Sequence, residues 1–238
     1  MSTQRRQITY GSSVIVFDIE RRDRKTLEIT VEPDLRVKIV APRNAKAEDI
    51  DSRVYKRAGW IKRQQAYFRQ YLPRTPDRKY IAGETHRYLG RQYRLKVRLG
   101  LLDHVKLYRG IIDVESSRPK ASSHIRNLVQ DWYRARARIK FHERLEFSRA
   151  RFARPDDFVP SAIIVRRSRQ RWGSMSPSHR LVLNTRLIEA PVDAIDYVIT
   201  HELCHIRHPH HGADFIDLLS TVLPDWERRK ERLERSMA

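Results

Sequence analysis

Residues 201–205 read His-Glu-Leu-Cys-His. On a helix, imidazoles four residues apart stand one turn apart on nearly one face, so both can hold the same zinc ion. The glutamate between them then sits beside a water at that metal and can take its proton. Catalytic zinc takes three protein ligands and keeps one position open. After His205 the candidates for the third ligand are His208, His210 and His211. Pro209 biases His208 away from helical geometry, so the helix is expected to end there and the chain to turn. His211 precedes Gly212 and a segment that reads as another helix, with Phe215, Leu218, Leu219 and Val222 inward. A ligand at the start of that helix can fold back onto the first, which favours His211; spacing alone leaves His208 and His210 open.

The helix carrying the motif has its own signals. Pro191 and Asp193 suit a helix start. At about 100° per residue, Ile195, Val198, Ile199, Glu202, His205 and Ile206 form one stripe. Glu202 lies in the buried face, where an unpaired carboxylate is costly and a zinc ion with its water would compensate it. The plainer alternative pairs Glu202 with one of the many arginines and makes the two histidines core donors. Cys204 reads as a small buried hydrophobe rather than a redox group or ligand.

Further elements must hold this helix. Residues 163–167 and 181–184 read as strands joined by a hairpin connection at Trp172-Gly173-Ser174. Asn184 is expected either to bond substrate or to cap a turn. Residues 14–19, 27–31 and 37–40 are β-rich. Residues 45–71 favour one helix, with Ile50, Val54, Ala58 and Ile61 inward and an end at Pro73 and Pro76. Residues 91–99 alternate strictly, placing Leu95, Val97 and Leu99 on one face and Arg94, Lys96 and Arg98 on the other. A helix over 123–148 puts Ile125, Leu128, Trp132, Ala135, Ile139 and Leu145 inward. The polar, proline-containing stretch 116–123 is the best linker, which divides the chain into a β-rich basic domain, 1–115, and a second domain, 116–238. The fold class is α+β.

The chain has 238 residues, 40% of them hydrophobic, and a net charge of +20. That is too apolar for a disordered basic tail and too charged for an integral membrane protein. No run of apolar residues is long enough for a membrane span, and a single cysteine forbids an internal disulfide, so a reducing, cytoplasmic setting with no membrane partner is expected. Residues 51–150 carry +16 of the charge, and each flanking part only +2. Such concentration suggests a polyanion, a nucleotide or nucleic acid, as partner. Arg94, Lys96 and Arg98 with Tyr88 and Tyr93 offer basic groups interleaved with aromatics, as single-strand binders use.

The ordered combination of Arg171-Trp-Gly-Ser-Met-Ser176, Leu181-Val-Leu-Asn184, Arg186-Leu-Ile188, Pro191, residues 195–205, His211 and Phe215 resembles the YgjP-like metallopeptidase family. The likeness reaches the first half through residues 21–25, 37–42, Gly59-Trp-Ile61 and Gly83 to Gly90. It implies a zincin-like C-terminal part related to the SprT-type zinc proteases, with the motif helix against a small antiparallel sheet. It further implies zinc on His201, His205 and His211, and Glu202 as the catalytic glutamate that activates a zinc-bound water for hydrolysis of a protein or peptide substrate. It makes residues 181–185 the strand that aligns an extended substrate. One departure is that Met175 stands where the family pattern has cysteine. An alternative implied by the resemblance is a metal-dependent nucleoside triphosphate pyrophosphatase acting on UTP, although no glycine-rich phosphate loop is present. A third reading is a nucleic-acid-binding module with a structural or vestigial zinc site. For the oxyanion, His208, His210, Arg171 and Tyr197 are the donors near in sequence.

Overall fold

The computed structural model describes residues 4–11, 13–32, 34–69, 78–168 and 171–237. The chain divides into two compact units, Met1–Pro76 and Asp77–Met237.

In the first unit, β1 (Gln4–Tyr10), β2 (Ser13–Arg22), β3 (Glu28–Val31) and β4 (Val37–Pro42) form a sheet ordered β1-β2-β4-β3, with only β2 and β4 parallel. Alternation buries Ile15, Phe17, Ile19, Val37 and Ile39 on one face. The expected single helix is two, α1 (Ala47–Lys56) and α2 (Ala58–Arg69). The break falls at Arg57, whose N–H is shared between the carbonyls of Arg53 and Val54. Ile50, Val54, Ala58 and Ile61 nevertheless reach one core with the sheet. The expected stop at Pro73 and Pro76 lies outside the described residues.

In the second unit, β5 (Thr85–Tyr88), β6 (Arg91–Leu99), β7 (His104–Tyr108) and β8 (Ile111–Ser116) form a sheet ordered β5-β6-β8-β7. A long helix, α3 (Ser122–Arg149), follows. The division expected between 115 and 116 falls inside this unit, because Leu95, Ile112 and Val114 share a core with Val129, Tyr133 and Phe141. The stretch read as a linker is a tight turn, in which the Ser117 N–H donates to Asp103 and the Ala121 N–H to the Arg118 carbonyl.

Two predicted faces are corrected. On α3 the inward residues are Ile125, Val129, Trp132, Tyr133, Ala137, Phe141 and Leu145, while Ala135 and Ile139 face solvent. The stripe that buries the larger aromatic area prevails, since apolar area removed from water drives the choice. On β6, Leu95 is buried but Leu99 is 74% exposed where the sheet ends.

The remaining elements surround the motif. They are β9 (Ala162–Arg166), β10 (Gly173–Met175), β11 (Arg180–Asn184), a 3-10 turn (Thr185–Glu189), α4 (Val192–Cys204), α5 (Ala213–Val222) and α6 (Trp226–Met237). The three strands are ordered β10-β11-β9. β9 and β11 are parallel, so no hairpin joins them and the small sheet is mixed rather than antiparallel. The hairpin instead links β10 to β11. Trp172-Gly173-Ser174 therefore leads into a strand in its own right.

Candidate metal centre

Helix α4 is fixed along its whole length. At its start, the β5–β6 turn docks through Leu89 N–H to the Ile188 carbonyl and Gly90 N–H to the Glu189 carbonyl, at 2.9 and 3.0 Å. Gly90 has φ +78°, and a β-carbon there would lie 2.9 Å from the Cα of Pro191. Glycine is required both for the left-handed backbone and for this close approach. One face of α4 buries Ala194, Ile195, Val198, Ile199 and Leu203. On another, buried Asp196 accepts two hydrogen bonds of 2.7 Å from Arg144 of α3, and Arg229 of α6 stands 3.7 Å away. Arg232 of α6 holds Asp193 at 2.7 Å. The helix ends at Cys204, one turn before Pro209, and His205 caps it. Cys204 is buried and free, and burial pushes its thiol up to about 12, as suits a small core residue.

The structure brings three imidazoles together. One ligand-capable atom from each of His201, His205 and His211 lies within 4.8 Å of the others. His201 and His205 stand a turn apart on α4, and residues 208–212 return His211 to them just before α5 begins. The Nε2 atoms of His201 and His211 are 3.0 Å apart. His205 donates its Nδ1–H to the His208 carbonyl at 3.0 Å, which leaves Nε2 as its lone-pair atom. Phe215 of α5 packs on all three rings at centroid distances of 4.7–5.0 Å. His208 and His210 are outside this cluster.

These residues fit a metal ion on their donor chemistry. Burial first, then His205, His211 and Lys230, push His201 down to about 3. His211 is lowered by desolvation and the neighbouring histidines. Three imidazole donors therefore converge with no salt bridge to any of them among the described residues, which is the donor set of a metal site. The Nδ1 of His201 is buried without a hydrogen-bond partner among the described residues.

Glu202, the residue after His201, is 7% exposed and lines the same cleft as His201. Burial pushes its carboxyl up to about 7, while the Met175 N–H and Arg171 pull it down. The alternative in which Glu202 forms an ion pair fails, because no salt bridge reaches it among the described residues. Its neighbour across the sheet is β10. Trp172 and Ser176 exchange backbone bonds with β11, so by alternation Gly173 and Met175 turn theirs to the open side.

The structure also moves the substrate-strand expectation. β11 is the middle strand, paired to β9 and β10, and has no free edge. The edge beside Glu202 belongs to β10. Asn184 resolves as a clasp: its side chain accepts from Arg186 N–H at 3.1 Å and donates to the carbonyls of Ser168 and Arg171 at 3.0 Å. It caps the 3-10 turn and holds the loop that leads to β10.

Beside Glu202 and His201 opens a cleft of about 230 Å³, bordered by Arg171, Trp172, Tyr197, Val198, Lys230 and Leu233. The part played by α6 was not foreseen. Its signal was available in Trp226, Leu233 and Met237, spaced seven and four apart in an otherwise charged segment.

Tyr88 and Tyr93, expected to stack bases, are half-buried against the core. Tyr88 packs on Tyr93 and Trp132, with centroids 6.3 and 5.2 Å away. Arg98 is held by Asp113 and Glu115. No described helix is long and apolar enough to cross a membrane.

A His-Glu-x-x-His helix whose two imidazoles meet a third, with the glutamate beside an open strand, fits a metallopeptidase. The model of the YgjP-like metallopeptidase domain matches residues 25–236, and the chain belongs to that family. Among curated proteins no match was found.

Proposed function

We propose that the chain is a zinc-dependent peptidase. His201, His205 and His211 hold the ion, and Glu202 is the general base. The observation that carries this reading is the convergence of three imidazoles beside a buried carboxylate that faces an unpaired strand edge.

Bound zinc supplies Lewis acidity, which makes a water nucleophilic near neutral pH and polarises a carbonyl. The chain's residues do the rest. The open edge of β10 offers the Gly173 amide and carbonyl and the Met175 carbonyl to an extended peptide, aligning it by backbone pairing. Glu202, oriented by the Met175 N–H, accepts the proton of the attacking water and returns it to the leaving amine. Tyr197 borders the cleft and is the donor offered to the developing oxyanion. Neither His208 nor His210 borders it.

The test is metal analysis of the purified protein beside its His201→Ala and His211→Ala variants, with peptide hydrolysis followed in parallel. Zinc at one equivalent, lost in both variants together with hydrolysis, is the expected result. Full zinc in His211→Ala would remove that residue from the ligand set.

A further inference from the structure

The cleft beside Glu202 has walls of one kind and charges of another. Trp172, Tyr197, Val198 and Leu233 supply apolar surface, whereas Arg171 and Lys230 supply two cations from opposite sides, one before β10 and one on α6. Neither side chain has an ion pair or hydrogen bond among the described residues. That sets Lys230 apart from its neighbours on α6, since Arg228, Arg229 and Arg232 are engaged with Asp225 and Asp193. Two carboxylates border the same cleft, Glu202, which belongs to the proposed reaction, and Glu234.

Arg171 and Lys230 line the same cleft as His201 and Glu202. Glu234 acts on Tyr197, whose ring centroid is 5.8 Å from that of His201. Both cations therefore border the cleft in which a bond would be cut. Two cations on apolar walls suit a short carbon chain that ends in a carboxylate, because the walls cover the methylenes and the cations offset the charge.

We infer that this cleft is the subsite for a substrate residue flanking the scissile bond that bears a carboxylate, gripped by Lys230 and Arg171. The carboxylate is either an acidic side chain or the C-terminal carboxylate of the peptide. The inference rests on the peptidase reading above and deepens it.

The experiment compares matched peptides on the zinc-loaded enzyme: glutamate against glutamine next to the cleaved bond, and a free against an amidated C-terminus. The expected result is a kcat/KM about tenfold higher for the charged member of at least one pair, consistent with a charge-assisted hydrogen bond. The pair that responds identifies the source of the carboxylate. In Lys230→Ala that ratio falls towards one, and in Lys230→Glu a lysine in place of the glutamate becomes the preferred residue. This gain of preference is a readout that damaged folding cannot produce. Equal cleavage of both members of both pairs overturns the inference and leaves the peptidase reading standing. A ratio unchanged by Lys230→Ala also overturns it. Cleavage of no peptide, neutral ones included, by protein that retains its zinc overturns the peptidase reading and this inference with it.

Discussion

Gly173 of β10 leaves no room for a side chain against Glu202 of α4. A β-carbon on Gly173 would lie 2.8 Å from the Cγ and 2.9 Å from the Oε1 of Glu202, and 3.0 Å from a methyl of Val198. The carboxylate is thus positioned by the absence of an atom as much as by the Met175 N–H.

Replacing Gly173 by alanine should push the carboxyl aside while the imidazoles, none of which is among the atoms nearest a β-carbon at Gly173, stay in place. A displacement near 1 Å at a reacting group costs about 10²-fold in rate. The expected outcome is a fall of that order in kcat with zinc content unchanged, read by steady-state kinetics and metal analysis. Full activity would show that the carboxylate of Glu202 takes no part in the reaction.

Glu202→Gln separates binding from chemistry. The amide keeps the shape of the side chain and loses the base, so hydrolysis should drop by about 10²–10⁴-fold while zinc stays bound. Equilibrium binding of a peptide substrate to this variant should persist. Loss of zinc in Glu202→Gln would instead mark the carboxylate as part of the ion's own environment.

Much of this was legible in the sequence, and the failures share a cause. The motif helix, the turn at Pro209 and the following helix all announced themselves through residue types with a local effect, namely histidine spacing, proline and an apolar stripe. Strand pairing is not local. Nothing in residues 181–184 says that they pair with β9 in parallel as well as with β10, which leaves residues 181–185, the strand that the resemblance offers to the substrate, without a free edge. The expected boundary near 115 failed likewise, because a polar turn and a linker share a composition. Only the packing of Leu95 and Ile112 against α3 distinguishes them. On α3 two helical stripes competed, and burial of Tyr133 and Phe141 decided between them.

Asp196 is a stability element of the motif helix. Its buried carboxylate is shared by Arg144 and Arg229, which tie α4 to α3 and α6. Removing one partner of a buried pair leaves an uncompensated charge and costs about 3–5 kcal/mol. Asp196→Ala should lose that much in chemical denaturation. Pairing it with Arg144→Leu should recover part of the loss, since the stranded cation is then gone. A double variant no better than the single would place the cost in packing instead.

His86 predicts the course of stability with pH. It is fully buried, and its Nδ1 has no partner among the described residues. Desolvation first, then Arg78, lower its pKa below 6.5, against the opposing pull of Glu84 at 3.1 Å and of Glu189. The rings of Tyr80 and Tyr133 cover it. Because the folded pKa is depressed, the unfolded chain binds more protons over the window below 6.5, and stability falls as the pH drops towards the folded value. Above 6.5 both states are neutral at this residue and its contribution is level. Thermal unfolding between pH 7.5 and 5.5 should therefore show a declining midpoint whose slope is shallower in His86→Gln, with metal removed from both proteins so that the imidazoles of the site contribute equally. Identical slopes would assign the acid sensitivity to other groups.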